Sequence, residues 1–398
     1  MNTHSNLLHW QENETNFTAI WQSANQAPTP KKLIVADDRM TADQAYRYAC
    51  EGIGLIWRGD FQNAKQLTQA LARRLDKLKK SKEKKATPQN LEEDMAALFH
   101  LHRRDQVHRS RILGMVLIPV QADLRVPLRR APDIQEALEQ ALPQYASHGN
   151  SGSSSSIAFL ISLKELLGII GAHQWRKNGV DVAALNAKIH PYYGVYSPLR
   201  GEYLDLVAKA PLPSTGVAFD IGTGTGVIAA ILARRGISKI IATDLSENAL
   251  NCAAENLKSL KLDHCVDLQK QDLFPPSRAD LIVCNPPWLP AKPSSAIEYA
   301  IYDPNSQMLK SFLHGLKDHL TERGEAWLIM SDLAEHLGLR QHNELWQWIE
   351  DAGLFVVGKL DIRPRHGKSQ DQEDPLYIAR SKEITSLWRL RLHSQQAS

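Results

Sequence analysis

Two hydrophobic rhythms run along the chain. In the first part the spacing is helical. Thr41 is placed to cap a helix, with Gln44 three residues on to complete a capping box and Gly52 to end it. Asp60 opens a second helix, in which Leu67, Leu71, Leu75 and Leu78 recur every three or four residues and mark one apolar face. An apolar run covers Ile112 to Val120. The most apolar region, Ile157 to Ala172, is interrupted by Lys164 and Glu165. It falls short of the roughly 20 apolar residues that span a bilayer, so it reads as a buried helix. Ile189 to Ser197, with Tyr192, Tyr193 and Tyr196, reads as an aromatic strand-like segment, open both to a core role and to a lid.

From Val217 the rhythm changes. Strand-like runs at Val217–Ile221, Lys239–Asp244, Val266–Asp272, Asp280–Asn285, Glu325–Ser331, Phe355–Ile362 and Thr385–Leu392 are mostly separated by helical stretches. The last two are joined by a polar loop, Arg363 to Asp374, and a hairpin there turns the final strand antiparallel. The expected fold class is therefore α/β, a Rossmann-like, seven-stranded, mostly parallel sheet with an antiparallel last strand, preceded by a mainly helical N-terminal domain. His148 to Ser156 is a Gly/Ser-rich hinge by composition. It divides the chain into a basic, substrate-recognising part at 1–150 and a catalytic part at 151–398.

Composition adds little to this and excludes several classes. The 398 residues are 43% hydrophobic and 23% charged, with net charge +3, ordinary values for a folded chain of two domains. Cys50, Cys252, Cys265 and Cys284 form no Cys-x-x-Cys pair and no His cluster has zinc spacing, so the thiols read as reduced and no metal is expected. Met1 to Trp10 lacks a secretory pattern, which points to a cytoplasmic protein with no membrane partner. Charge distribution says more than its sum. From Lys65 to Lys85 there are nine Lys or Arg against two Asp or Glu, and His102, Arg103, Arg104, His108, Arg109 and Arg111 follow on the next helical segment. Such runs are solvated helix faces or grooves that track phosphates.

The chemistry lies between Phe219 and Trp288. Gly222, Gly224 and Gly226, with Thr223 and Thr225 between them, end a strand and open a helix, where a backbone without side chains can approach a ligand and helix N–H groups lie free. Asp244 ends the next strand at the distance expected of a ribose-binding acid. Asp272 and Leu273 end the one after, placed to bind an adenine amino group and cover its ring. The Gly-x-Gly-x-Gly spacing is not the dinucleotide Gly-x-Gly-x-x-Gly. Asp220 before it would repel a pyrophosphate but suits the cationic S-adenosylmethionine. Asn285-Pro286-Pro287-Trp288 follows a later strand. The Asn285 side-chain oxygen and the Pro286 carbonyl are suited to accept the two N–H bonds of a planar NH2 group, the prolines to fix the backbone, and Trp288 to stack on the target.

These residues resemble the class I S-adenosylmethionine-dependent methyltransferases, within them the amino-methylating group with an Asn-Pro-Pro-aromatic motif, the methyltransferase small domain type. Asp220 to Gly226, Asp244, Asp272-Leu273 and Asn285 to Trp288 look closest to the release-factor glutamine methyltransferases, and the resemblance runs from about Tyr196 to Asp332. It implies cofactor contacts at Gly222 to Gly226, Asp244 and Asp272-Leu273 and an amide clamp at Asn285 to Trp288. Trp288 stands where that family has Tyr, and the N-terminal domain is longer and more basic. The expected activity is N-methylation of a base amine in structured RNA, adenine N6 or guanine N2. The alternatives are a protein glutamine and a non-catalytic RNA-binding factor on the same scaffold.

Overall fold

A computed structural model describes residues 6–85, 94–146, 157–197, 201–293, 296–364 and 370–393. The chain forms two compact units, Met1–Asn90 with Leu101–Gln174, and Leu91–His100 with Trp175–Ser398.

The first unit is built on a sheet, not on a helical bundle. Its strands are β1 (Leu7–Glu12), β2 (Thr15–Gln22), β3 (Lys32–Ala36), β4 (Ile53–Trp57), β5 (Val116–Gln121) and β6 (Ile157–Ser162), in the order β1-β2-β6-β5-β4-β3. The helices between them are α1 (Ala42–Glu51), α2 (Phe61–Lys85), α3 (Met95–Leu113), which begins in the second unit, α4 (Gln135–Ala141), α5 (Pro143–Ala146) and α6 (Leu163–Asn178). The expectation of a mainly helical N-terminal domain is thus corrected. The cause is physical: β3, β4 and β5 pair in parallel, and β4 and β5 are buried almost throughout. A strand buried on both faces is a short apolar run without alternation, which periodicity cannot separate from a piece of helix.

The apolar stretch read as one buried helix is likewise two elements, β6 and then α6. Because β6 pairs with both β2 and β5, the domain division falls at Gln174/Trp175 and not at residue 150. The hinge at His148 to Ser156 lies outside the described residues. The capping box of Thr41 and Gln44 forms as expected, and Gly52 ends α1 in the left-handed region.

In the second unit a small hairpin, β7 (Val180–Val182) with β8 (Ala187–Ile189), precedes α7 (Glu202–Lys209). The sheet strands are β9 (Val217–Ile221), β10 (Lys239–Asp244), β11 (Val266–Lys270), β12 (Ala279–Cys284), β13 (Leu320–Ser331), β14 (Leu354–Ile362) and β15 (Thr385–Leu392). The helices are α8 (Val227–Arg234), α9 (Glu247–Ser259), α10 (Gln307–His319), α11 (Leu333–His336), α12 (Glu344–Asp351) and α13 (Tyr377–Lys382). The sheet order is β11-β10-β9-β12-β13-β15-β14, with β15 antiparallel to both neighbours. The short helix α13 lies between β14 and β15. Two apolar layers pack on the sheet, one around α7 and α8 and one around α10 and α12.

The chain starts this sheet at β9, steps outward through β10 to β11, then returns to lay β12 on the other side of β9. Strand order reverses there, and open α/β sheets bind ligands in the crevice beyond the carboxyl ends of strands at that point. Among the described residues no helix is long and apolar enough to cross a membrane, and no group of three or more His, Cys, Asp or Glu is arranged to hold a metal ion.

Candidate functional site

β9 and β12 pair in parallel, with Ile221 opposite Cys284 at their last rung. Gly222 and Asn285 are therefore the next residues out of two adjacent strands. β10 pairs with β9 on its other side and β11 with β10, so Asp272, Asp244, the glycine turn and Asn285 follow one another along the carboxyl edge. Four strands at roughly 4.8 Å spacing put this row at about 14 Å.

The turn after β9 is held from several sides. Gly222, Gly224 and Gly226 all have positive φ, at 72°, 54° and 79°. The N–H groups of Gly222 and Thr223 both donate to the carbonyl of Thr243. The N–H of Gly224 donates to Asp244 Oδ2 at 3.0 Å, and that of Ser246 to Asp244 Oδ1 at 2.9 Å. Asn256, buried on α9, donates its amide to the Thr225 carbonyl at 3.0 Å. α8 then starts at Val227, and its N-cap Gly226 has no side chain to cap it. A Cβ on Gly226 would stand 3.1 Å from Ala253 Cβ, whereas one on Gly224 would meet nothing within 4 Å. The open side of the loop is thus at Gly224.

Asp220 shapes this loop from below. It is fully buried and accepts from Thr223 Oγ1 at 2.7 Å and from the Ala229 N–H at 3.0 Å. Its other oxygen, Oδ1, has no hydrogen-bond partner among the described residues. Burial pushes its carboxyl up to about 6, against the pull of those two donors. The expected direct cofactor contact becomes a support beneath the turn, whose negative field opposes a bound anion. Asp272 is exposed and Leu273 half-buried. Leu273 adopts a φ of 56°, held by Thr243 Oγ1 donating to its carbonyl. Leu245, next to Asp244, is 65% exposed. An apolar side chain open to water beside a strand-end carboxylate has the character to cover a flat ring, yet a lone Leu after an Asp gives no sequence signal.

At the acceptor end, Asn285 is half-buried, Pro286 buried, and Pro287 and Trp288 half-buried. Trp288 packs against both apolar layers, and its indole Nε1 donates to Asn285 Oδ1 at 2.9 Å. The expected stacking residue therefore also orients the amide. Behind Asn285 stands the buried phenol of Tyr203 on α7, raised in pKa by burial and within hydrogen-bonding reach of that amide. After the motif the chain is zipped. The Leu289 N–H donates to the Ile301 carbonyl and the Asp303 N–H to the Leu289 carbonyl. Asp303 then accepts the N–H groups of Met308 and Leu309 at the start of α10. The aromatic segment Tyr192 to Tyr196 is not a strand. Val195 packs on Ala249 and Cys252 of α9, Arg176 lies 3.8 Å over the Tyr192 ring, and Asn248 holds the Tyr193 carbonyl. These contacts belong to a packed wall and leave the lid reading without support.

The carboxyl edge of the sheet thus brings together a glycine turn, the Asp244 carboxylate at the end of β10 and, on the adjacent strand, an Asn-Pro-Pro-Trp corner. Residues 203–357 match the family model for the methyltransferase small domain. S-adenosylmethionine is the cofactor of that domain, and the glycine cradle open at Gly224, the paired N–H contacts of Asp244 and the carboxylate beneath the turn all fit it. The chain is similar to the release factor glutamine methyltransferase of Cereibacter sphaeroides, 32% identical over 183 residues, 42% of this chain and 63% of that protein. It is also similar to the release factor glutamine methyltransferase of Streptococcus pneumoniae, 32% identical over 120 residues, 29% of this chain and 42% of that protein. A tRNA1(Val) (adenine(37)-N6)-methyltransferase of Cytophaga hutchinsonii is 30% identical over 125 residues, 30% of this chain and 52% of that protein. The chain thus spans less than two thirds of each of these three relatives.

Proposed function

We propose that this protein transfers a methyl group from S-adenosylmethionine to the exocyclic NH2 of a base in structured RNA, adenine N6 or guanine N2. One observation carries the methyl-transfer part: Ile221 and Cys284 share a rung, so the cofactor turn and Asn285 leave neighbouring strands side by side. The bound cofactor supplies an electrophilic methyl on a sulfonium. The chain's own residues do the rest. Asn285 Oδ1 and the Pro286 carbonyl accept the two N–H bonds of the target, fix its nitrogen, and draw its lone pair out of conjugation. Trp288 holds the Asn285 amide and offers a ring face. The turn from Gly222 to Gly226 and Asp244 would hold that cofactor, which would give its methyl to the positioned nitrogen and leave as the neutral thioether, the nitrogen then releasing its extra proton. Positioning and charge complementarity supply most of the acceleration, with no base needed before attack.

The RNA part rests on the first unit. Arg73, Lys77 and Lys80 on α2 are exposed, spaced by four and three residues, hence on one helix face. Arg104, His108 and Arg111 on α3 are exposed with the same spacing. Arg109 is spent internally, donating to the Ala72 carbonyl and Asp76 and so tying α3 to α2. Two basic stripes on helices fastened together fit a phosphate backbone. The names of the release-factor relatives favour a second reading, a glutamine side chain in a protein.

The test is incubation with labelled cofactor and a lysate from cells lacking the protein, followed by separate nuclease and protease digestion. Label removed by nuclease, and absent with Asn285→Ala, supports RNA. Label that resists nuclease and is lost to protease selects the glutamine. Failure of calorimetry to detect S-adenosylmethionine binding would leave the non-catalytic reading.

A further inference from the structure

Arg340, between α11 and α12, is 5% exposed. Its Nη2 donates to the Trp288 carbonyl and to Ser306 Oγ, each at 3.3 Å. Among the described residues Nε and Nη1 have no hydrogen-bond partner, and the guanidinium lies 5.5 Å from the Trp348 ring centre. Burial lowers its pKa, while Glu335, Glu344 and Asp303 act in the opposite direction. Each of these carboxylates is engaged elsewhere. Glu335 holds His342, Glu344 accepts the Gln341 N–H, and Asp303 caps α10. A buried cation without an ion pair is costly to keep. Among the described residues its direct hydrogen bonds go to the backbone of the acceptor motif and to the turn before α10.

We infer that Arg340 is a positioning residue for the acceptor clamp, acting through Trp288. It pins the Trp288 carbonyl against the Ser306 turn. That fixes the backbone from which the indole reaches back to Asn285 Oδ1, and the indole sets the direction of the amide oxygen. Leu289, the next residue, is already tied to residues 301 and 303, so Arg340 fastens the one carbonyl between the Pro-Pro corner and that zipper. The guanidinium is planar and laid against Trp348, which suits a strut.

The inference rests on the methyl-transfer reading for its kinetic arm only, so the experiment has a second arm that needs no turnover. In the first, Arg340→Met lowers kcat by no more than the roughly five- to tenfold that loss of the Trp288–Asn285 hydrogen bond costs, because it acts only through that bond. The Kd for S-adenosylmethionine stays within about twofold, because Gly224 and Asp244 are untouched. Arg340→Met combined with Trp288→Phe loses no more than the worse single variant, the sign of two residues acting through one route. In the second arm, the indole N–H resonance of Trp288 is assigned among the nine tryptophans by its disappearance in Trp288→Phe. It shifts in Arg340→Met and partly recovers in Arg340→Lys.

An unmoved indole resonance overturns the inference, as do multiplying losses in the double variant or parallel loss of cofactor binding and turnover. A resonance that moves in Arg340→Met, together with a wild-type protein that methylates neither RNA nor protein, upholds the strut and removes the methyl-transfer reading. If Arg340→Met does not fold, the same two arms are read on Arg340→Lys, with a smaller shift and a smaller fall in kcat.

Discussion

The Trp288 indole Nε1 donates to Asn285 Oδ1 across 2.9 Å, so the oxygen assigned to the target NH2 is already oriented by its own motif. An amide oxygen has two lone pairs. One is held by the indole, and the other is left for the substrate. Asn285→Ala removes the acceptor altogether and lowers kcat by about 10²- to 10³-fold, the usual cost of deleting one preorganised hydrogen-bonding group at a reacting centre. Trp288→Phe keeps the ring and loses only the orienting bond, worth about 1 kcal/mol, hence a fall of roughly five- to tenfold. Steady-state kinetics on both variants, with cofactor affinity by calorimetry, checks the order. Equal losses would mean that Trp288 contributes more than orientation.

Gly226 turns the cofactor loop into α8 at φ 79°, with Ala253 Cβ 3.1 Å from where its own Cβ would stand. Gly236, at φ 89°, is exposed and has nothing within 4 Å. Alanine at either position is strained by its backbone angle, at about 1–3 kcal/mol. Only Gly226→Ala adds overpacking, about 1–3 kcal/mol more. Chemical denaturation should therefore rank Gly226→Ala below Gly236→Ala in stability, and only the former should also weaken S-adenosylmethionine binding.

Much of this site is legible in the sequence because each part is local. A glycine turn, an acid at a strand end and an Asn-Pro-Pro-Trp corner each declare themselves within a few residues, and parallel strands carry their ends to one edge. What is not legible depends on residues far apart in the chain. Arg340 reaches Trp288 across 52 positions, and nothing around it in sequence marks it. Asp220 looks like a ligand contact until burial shows it beneath the turn. The six-stranded sheet of the first unit escapes because β4 and β5 lack alternation. α2, whose one-sided leucines expose its period, does not: Leu67, Leu71 and Leu75 are buried.

The stability of the second unit carries a pH signature from Asp220. Burial is the main cause that raises its carboxyl from about 3.8 to about 6, with the charge of Asp244 adding to it. In the window between those values the folded chain holds a proton that the unfolded chain has released. Stability therefore falls as pH rises from about 4 to about 6, and the cost is complete above that, at about 3 kcal/mol. Other carboxylates work the opposite way: Asp60, held to about 2 chiefly by its hydrogen bond from Arg130, contributes stability above pH 4 that is lost only on acidification towards 2. The measurement is thus a difference. Urea unfolding of Asp220→Asn against wild type from pH 4 to pH 7 should show the gap moving in favour of the variant as pH rises. A gap independent of pH would remove the buried carboxylate from the account.

The basic stripes on α2 and α3 give the sharpest separation of an RNA target from a protein one. A phosphate contact releases a counterion, so each one lost makes the fall of log affinity with log salt shallower by roughly 0.7 to 0.9. Arg104→Glu with Arg111→Glu removes two exposed cations about two turns apart on α3, far in sequence from the glycine turn. RNA affinity should drop at low salt, the slope should shallow by about 1.4 to 1.8, and S-adenosylmethionine affinity should stay unchanged. Arg109→Ala tests a different thing. Its guanidinium ties α3 to α2 through Asp76 and the Ala72 carbonyl, so its loss should lower thermal stability with little change in slope. Binding titrations between 50 and 300 mM salt decide the matter. A slope unaltered by the double charge reversal would reduce the stripes to solvated helix faces and return the choice of target to the glutamine reading.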